Sequence, residues 1–145
     1  GHKILAELFV EKGANIEATG SSHQTPLAIA AMEGHLDAVK WLIEKGANIE
    51  ARDCNKQTPL ILATIGKHDN GNTAVIQLLL NNNANIETKD IAGDTPLSIA
   101  AYRGHTAAIQ LFLDNNANIE TKDIDGKTPL GNAAHWGHTA VIQLL

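Results

Sequence analysis

One tripeptide, Thr-Pro-Leu, occurs four times, at Thr25-Pro26-Leu27, Thr58-Pro59-Leu60, Thr95-Pro96-Leu97 and Thr128-Pro129-Leu130. The spacings are 33, 37 and 33 residues, so the chain is an array with a 33-residue period and one insertion of four. A period of this size means stacked supersecondary units, each burying its apolar face against its neighbours, with no central core required. The boundaries read as a partial unit over 1–19, complete units over 20–52, 53–89 and 90–122, and a partial unit over 123–145. The chain opens at Gly1 and stops inside an apolar helical pattern at Leu145, so it is read as a fragment of a longer array. Its uncovered ends, with Ile4, Leu5 and Leu8 on one side and Val141, Ile142, Leu144 and Leu145 on the other, are expected to fray or to pair end to end with another molecule.

Thr-Pro is a helix-start signal with a mechanism. The threonine oxygen accepts from an orphan amide of the first turn, and proline at the next position loses nothing by lacking its N–H. A short helix follows each copy, carrying Leu27, Ile29, Ala30 and Ala31 in the first complete unit, and ends at Gly34-His35. A second apolar pattern, Leu36, Val39, Trp41, Leu42 and Ile43, then makes a helical hairpin. Small residues at 30 and 31, 63 and 64, 100 and 101, and 133 and 134 allow neighbouring helices to approach to about 8–10 Å. The second helix stops at Gly13, Gly46, Asn83 or Asn116. Glycine and asparagine best tolerate the left-handed conformation of a helix end, so one backbone geometry is expected at all four sites. An Ala-Asn-Ile-Glu tail follows, and then a polar, turn-rich segment read as an extended loop or β-hairpin finger.

The unit of turn, Thr-Pro-Leu, paired small residues, Gly-His, leucine-rich helix and Ala-Asn-Ile-Glu tail resembles the ankyrin repeat over the whole chain, most closely from Asp90 to His105. The resemblance implies a mainly α solenoid of helix-turn-helix units joined by β-hairpin-like loops. Three departures stand out. The histidine that the family usually carries after Thr-Pro-Leu, tying neighbouring loops, is replaced by Ala28, Ile61, Ser98 and Gly131, so that tie is absent or replaced. The turn glycine is kept as Gly93 and Gly126 but becomes His23 and Lys56, which points to strained or differently shaped turns. Glu17, Glu50, Glu87 and Glu120 stand where the family often has an asparagine that is hydroxylated, so no such modification is expected there.

The function classes narrow by chemistry. With 16 acidic against 11 basic residues and a net charge of −5, the chain lacks the basic footprint of a nucleic-acid binder. No apolar run approaches the ~20 residues that span a bilayer. The single cysteine, Cys54, allows no intrachain disulfide and favours a reducing, cytoplasmic setting. His35, His105 and His138 recur once per unit, too far apart to share a zinc ion bound at about 2 Å. The insertion Gly66 to Gly71 lacks the trailing Ser or Thr of a phosphate loop and reads as a solvated loop between helices. No nucleophile elbow or metalloprotease motif is present. A non-enzymatic protein without cofactor or metal is expected.

Recognition then falls to positions that vary while the framework repeats. Trp41 aligns with leucines and fills core. Met32, Glu33, Ile65, Tyr102, Arg103, His135 and Trp136 occupy the variable pair of columns at the end of the first helix, which the family resemblance places on the concave surface. Aromatic and arginine residues there are the types that most often dominate interface energetics. The finger tips supply a second set, Arg52, Lys89, Ile91, Asp94, Lys122, Ile124 and Lys127, whose charges largely balance. The expected function is a scaffold that binds another protein through the concave helix face and loop tips, as a monomeric array. Two rivals stay open: a regulatory or targeting segment of a larger enzyme or secreted bacterial effector, and a structural spacer.

Overall fold

The computed structural model of the chain describes residues 12–66 and 72–145. The apolar pattern of Ile4, Leu5, Leu8 and Phe9, and most of the insertion after Gly66, lie outside the described residues. Eight helices occur among them: α1 Pro26–Met32, α2 Leu36–Glu44, α3 Pro59–Ile65, α4 Thr73–Asn81, α5 Pro96–Arg103, α6 Thr106–Asp114, α7 Pro129–His135 and α8 Thr139–Leu144. The odd-numbered helices stack on one another in one layer and the even-numbered in a second, and each pair packs together as a hairpin.

All four Thr-Pro steps start helices as expected. Thr25, Thr58, Thr95 and Thr128 are extended, and each hydroxyl accepts from the backbone N–H three residues on, at 3.2 to 3.4 Å. Each such cap contributes about 1 kcal/mol. At the other end of the hairpin Gly13, Gly46, Asn83 and Asn116 all take positive φ, between 60° and 91°. Behind them Ala47, Ala84 and Ala117 donate to Leu42, Leu79 and Phe112, closing the last turn of α2, α4 and α6.

Burial follows the repeat. Leu27, Leu60 and Leu97 are almost wholly enclosed between the layers, with Ala31, Ala63, Ala100, Ala101 and Ala133 at their backs. Thr64, in the same small-residue column, satisfies its hydroxyl on Leu60 O at 2.9 Å. Val39, Ile76, Ile109 and Phe112 fill the space between hairpins, and Trp41 is buried beside them. In the last unit Leu130, Ile142 and Leu144 are partly exposed, whereas Val141, expected to be half-covered, is buried against the preceding hairpin.

The fingers are tighter than a β-hairpin; no strand occurs among the described residues. Each is closed by two backbone bonds, Asp53 N to Gln57 O with Lys56 N to Asp53 O, Asp90 N to Asp94 O with Gly93 N to Asp90 O, and Asp123 N to Lys127 O with Gly126 N to Asp123 O, at 3.0 to 3.1 Å. The same aspartates turn a carboxylate oxygen inward to accept two further backbone amides each. His23 and Lys56 adopt φ 57° and 59°, in the same left-handed region as Gly93 and Gly126, so the four turns share one shape and two of them carry a side chain there. Left-handed backbone costs a non-glycine residue about 1–2 kcal/mol, partly offset because glycine is looser in the unfolded chain. Lys56→Gly is therefore expected to raise stability by about 0.5–1 kcal/mol. An unchanged or lower urea midpoint would show that the turn at Lys56 is unstrained.

The missing loop histidine is replaced by three other ties. The tail glutamates reach across unit boundaries, Glu17 accepting from Asn48 N, Glu50 from Asn85 N and Glu87 from Asn118 N, at 2.7 to 2.8 Å. The fingertips bond in sequence, Cys54 N to Ser22 O, Ile91 N to Asn55 O and Ile124 N to Ala92 O. Arg52 donates to Lys89 O and to Thr88 Oγ1, and Lys89 Nζ donates to Lys122 O. The array is laced along its length while Ala28, Ile61 and Ser98 sit buried against helices.

Candidate partner-binding face

The first helices are only seven or eight residues long, so their last turn ends at the variable columns. Tyr102 and Arg103 close α5, and His135 and Trp136 close α7. Arg103 sits in the last turn of its helix, where the carbonyl ends favour a cation. Tyr102 is 47% and Trp136 52% exposed, yet the two rings meet edge to face with centroids 5.0 Å apart, across the boundary between units. His135 adds a second edge contact to Trp136 at 5.3 Å. The stack thus joins residues that lie 34 positions apart into one half-exposed aromatic surface. Met32, Glu33 and Ile65 occupy the same columns in earlier units and are half-buried.

The turn histidine of the last unit does structural work. His138 Nε2 lies 3.0 Å from Tyr102 O, and because a carbonyl only accepts, Nε2 carries the proton. In the unit with the insertion Asn72 takes this role, donating to Ala31 O and Met32 O at 2.8 and 2.9 Å. The residue before each of these second helices reaches back to the end of the preceding unit's first helix, the turn that displays the variable side chains. Among the described residues no group of three metal-ligating side chains comes together.

The finger set divides. Ile91 and Ile124 are 60% and 75% exposed at the tips, and Lys122 is exposed beside them. Lys127 lies 4.0 Å from Asp125, both largely in solvent, an arrangement that contributes little. Arg52 and Lys89, by contrast, already use their charged heads to tie one unit to the next. Periodicity marked both as surface residues but could not show that their donors are used internally.

Asp94 is the finger residue with unusual chemistry. It borders a cavity of about 170 Å³ lined by Ile65, Asp90, Asp94, Ile99, Tyr102 and Arg103. Its Oδ1 is buried without a hydrogen-bond partner. Burial, reinforced by Asp90, Asp123 and Asp125 and partly offset by Lys127, pushes its pKa up to about 6 from 3.8. The folded chain therefore holds a proton over a pH range in which the unfolded chain has lost it. The stabilising contribution of that proton is full below pH 3.8 and is lost as pH rises through about 6. Asp94 is only half-buried, which limits the size of the effect. Asp94→Asn is expected to melt about 2–4 °C above the parent at pH 7.5 and level with it at pH 4. An equal difference at both pH values would sink this account.

A family model of ankyrin repeats in three copies matches residues 1–90 and again 67–145, so the two matches together span the chain. No curated protein matches it. Repeats of this kind generally mediate protein–protein interaction. Capped Thr-Pro helix starts, hairpins stacked in two layers and the whole-chain match agree, and the chain belongs to the ankyrin-repeat family.

Proposed function

We propose that the array is a non-catalytic interaction module that binds a partner protein across the face formed by the ends of α3, α5 and α7 and the adjoining fingers. The observation that carries this reading is the Tyr102–Trp136 pair, two large rings about half-exposed and ordered against each other. Rings held in place lose little side-chain freedom on binding, which is what an interface anchor requires. A pure spacer has no use for such a surface, while the Thr-Pro-Leu steps and Asn-Ile-Glu tails around it repeat unchanged. The exposed thiol of Cys54 suits a reducing compartment, and we place the module there.

The test uses matched baits, the intact array and a variant with Tyr102, Arg103 and Trp136 all changed to alanine. A partner retained by the first and lost by the second supports the proposal. Identical captures from both baits remove this face from it.

A further inference from the structure

We infer that the cavity between the Asp90–Asp94 finger and α5 is a receptor for one arginine side chain of the partner protein. This rests on the reading of the face as partner-binding and adds the chemistry it selects.

The residue before each Thr-Pro step is Gln24, Gln57, Asp94 or Lys127. Gln24 shows what this column can do within the array, since its Nε2 donates to Asp53 Oδ2 in the next finger at 3.3 Å. In the third unit an acid replaces the amide donor, and the corresponding aspartate of the next finger is Asp123. An acceptor faces an acceptor, and Asp94 Oδ1 is left buried without a donor. A buried acceptor in that condition costs stability, and the carboxyl group that carries it also borders the cavity.

The surroundings define what the cavity selects. The charges that act on the carboxylate are Asp90, Asp123 and Asp125 on the negative side and Lys127 on the positive, and Arg103 is a second cation on the cavity lining. With Asp94 itself that makes four carboxylates against two cations, so the site favours a cation. Among the described residues no group of three metal-ligating side chains comes together, at this site or elsewhere. A volume of about 170 Å³ is well below the several hundred of a small-molecule pocket and suits one side chain. Ile65 and Ile99 supply apolar walls for an aliphatic stem, and the exposed Tyr102 ring stands at the rim. A guanidinium can donate in its plane to Asp94 while its face lies against an aromatic ring. An ammonium offers a point charge with no such flat face.

The test titrates isotope-labelled array with acetyl-arginine N-methylamide and with its uncharged isostere acetyl-citrulline N-methylamide, following backbone amide shifts. Saturable shifts confined to residues 90–103 and their neighbours are expected with arginine only. The affinity should fall about tenfold from pH 7.5 to pH 5, since the ionised fraction of Asp94 falls by that factor, and at least about tenfold in Asp94→Asn. A melting curve confirms that this variant is folded. Equal response to citrulline, or an unchanged response in Asp94→Asn, overturns the arginine site. A captured partner that loses the triple-alanine array but holds Asp94→Asn within twofold also overturns it, leaving the interaction module standing. Arginine binding of the expected kind with no partner captured by the intact array counts against the module alone.

Discussion

Alanine at Tyr102, Arg103 and Trp136 together is expected to weaken partner binding by about a hundredfold or more. Two buried aromatic anchors at an interface typically cost about 2 kcal/mol each on truncation, and each 1.4 kcal/mol is a tenfold change in affinity. The free array should lose far less. Both rings are about half in solvent, so their removal leaves no cavity in the core. What is lost is the edge-to-face contact at 5.0 Å, worth about 0.5–1.5 kcal/mol. A fall of only a few degrees in melting temperature should therefore accompany the hundredfold change in Kd. Calorimetric titration and a thermal melt on the same samples make the comparison. An affinity within threefold of the parent would show that the partner docks elsewhere.

Gly104→Ala should destabilise the array by about 2–4 kcal/mol, more than the same change one unit later. Gly104 has φ 75° and Gly137 φ 70°, so both substitutions incur the left-handed cost of about 1–2 kcal/mol. They differ in what the new methyl meets. At Gly104 it would lie 2.8 Å from His138 Nδ1 and 2.9 Å from Cε1, whereas at Gly137 nothing stands within 4 Å. The imidazole must move, and its bond to Tyr102 O, worth about 1 kcal/mol, goes with it. Urea midpoints of the two variants isolate the histidine contact, because the backbone term is common to both. Equal midpoints would mean that His138 yields at no cost.

These two variants touch the same few residues from opposite sides. His138 grips the carbonyl of Tyr102 from behind, while the Tyr102 ring meets Trp136 in front. The proposed recognition surface is thus mounted on the contact that joins the third and fourth units. Loosening that contact should also lower partner affinity, although Gly104 need not touch the partner.

Much of this was legible in the residues. Thr-Pro predicts a capped helix start because both halves act within one turn. Glycine alternating with asparagine predicts a left-handed helix end because only a local backbone preference is involved. The variable columns that hold Tyr102 and Trp136 could be found by comparing units, since framework residues repeat and these do not. Other features were hidden because they are contacts between units. Glu50 reads as a surface acid until Asn85 N is found 2.7 Å from its carboxylate. Arg52 reads as a free cation until its bond to Lys89 O is seen. A signal did exist, since Asn-Ile-Glu recurs in every tail with unchanged spacing, but repetition marks a constraint without naming its partner.

From the sequence alone follow the period, the helix starts and stops, the apolar layers and the family, because each depends on residues within a turn or on a pattern repeated along the chain. Tertiary structure decided which charges are used internally, that Tyr102 and Trp136 form one surface, and that Asp94 faces acids with a buried oxygen unpaired. Those are distances between residues some 30 positions apart, and stacking one unit on the next is what sets them.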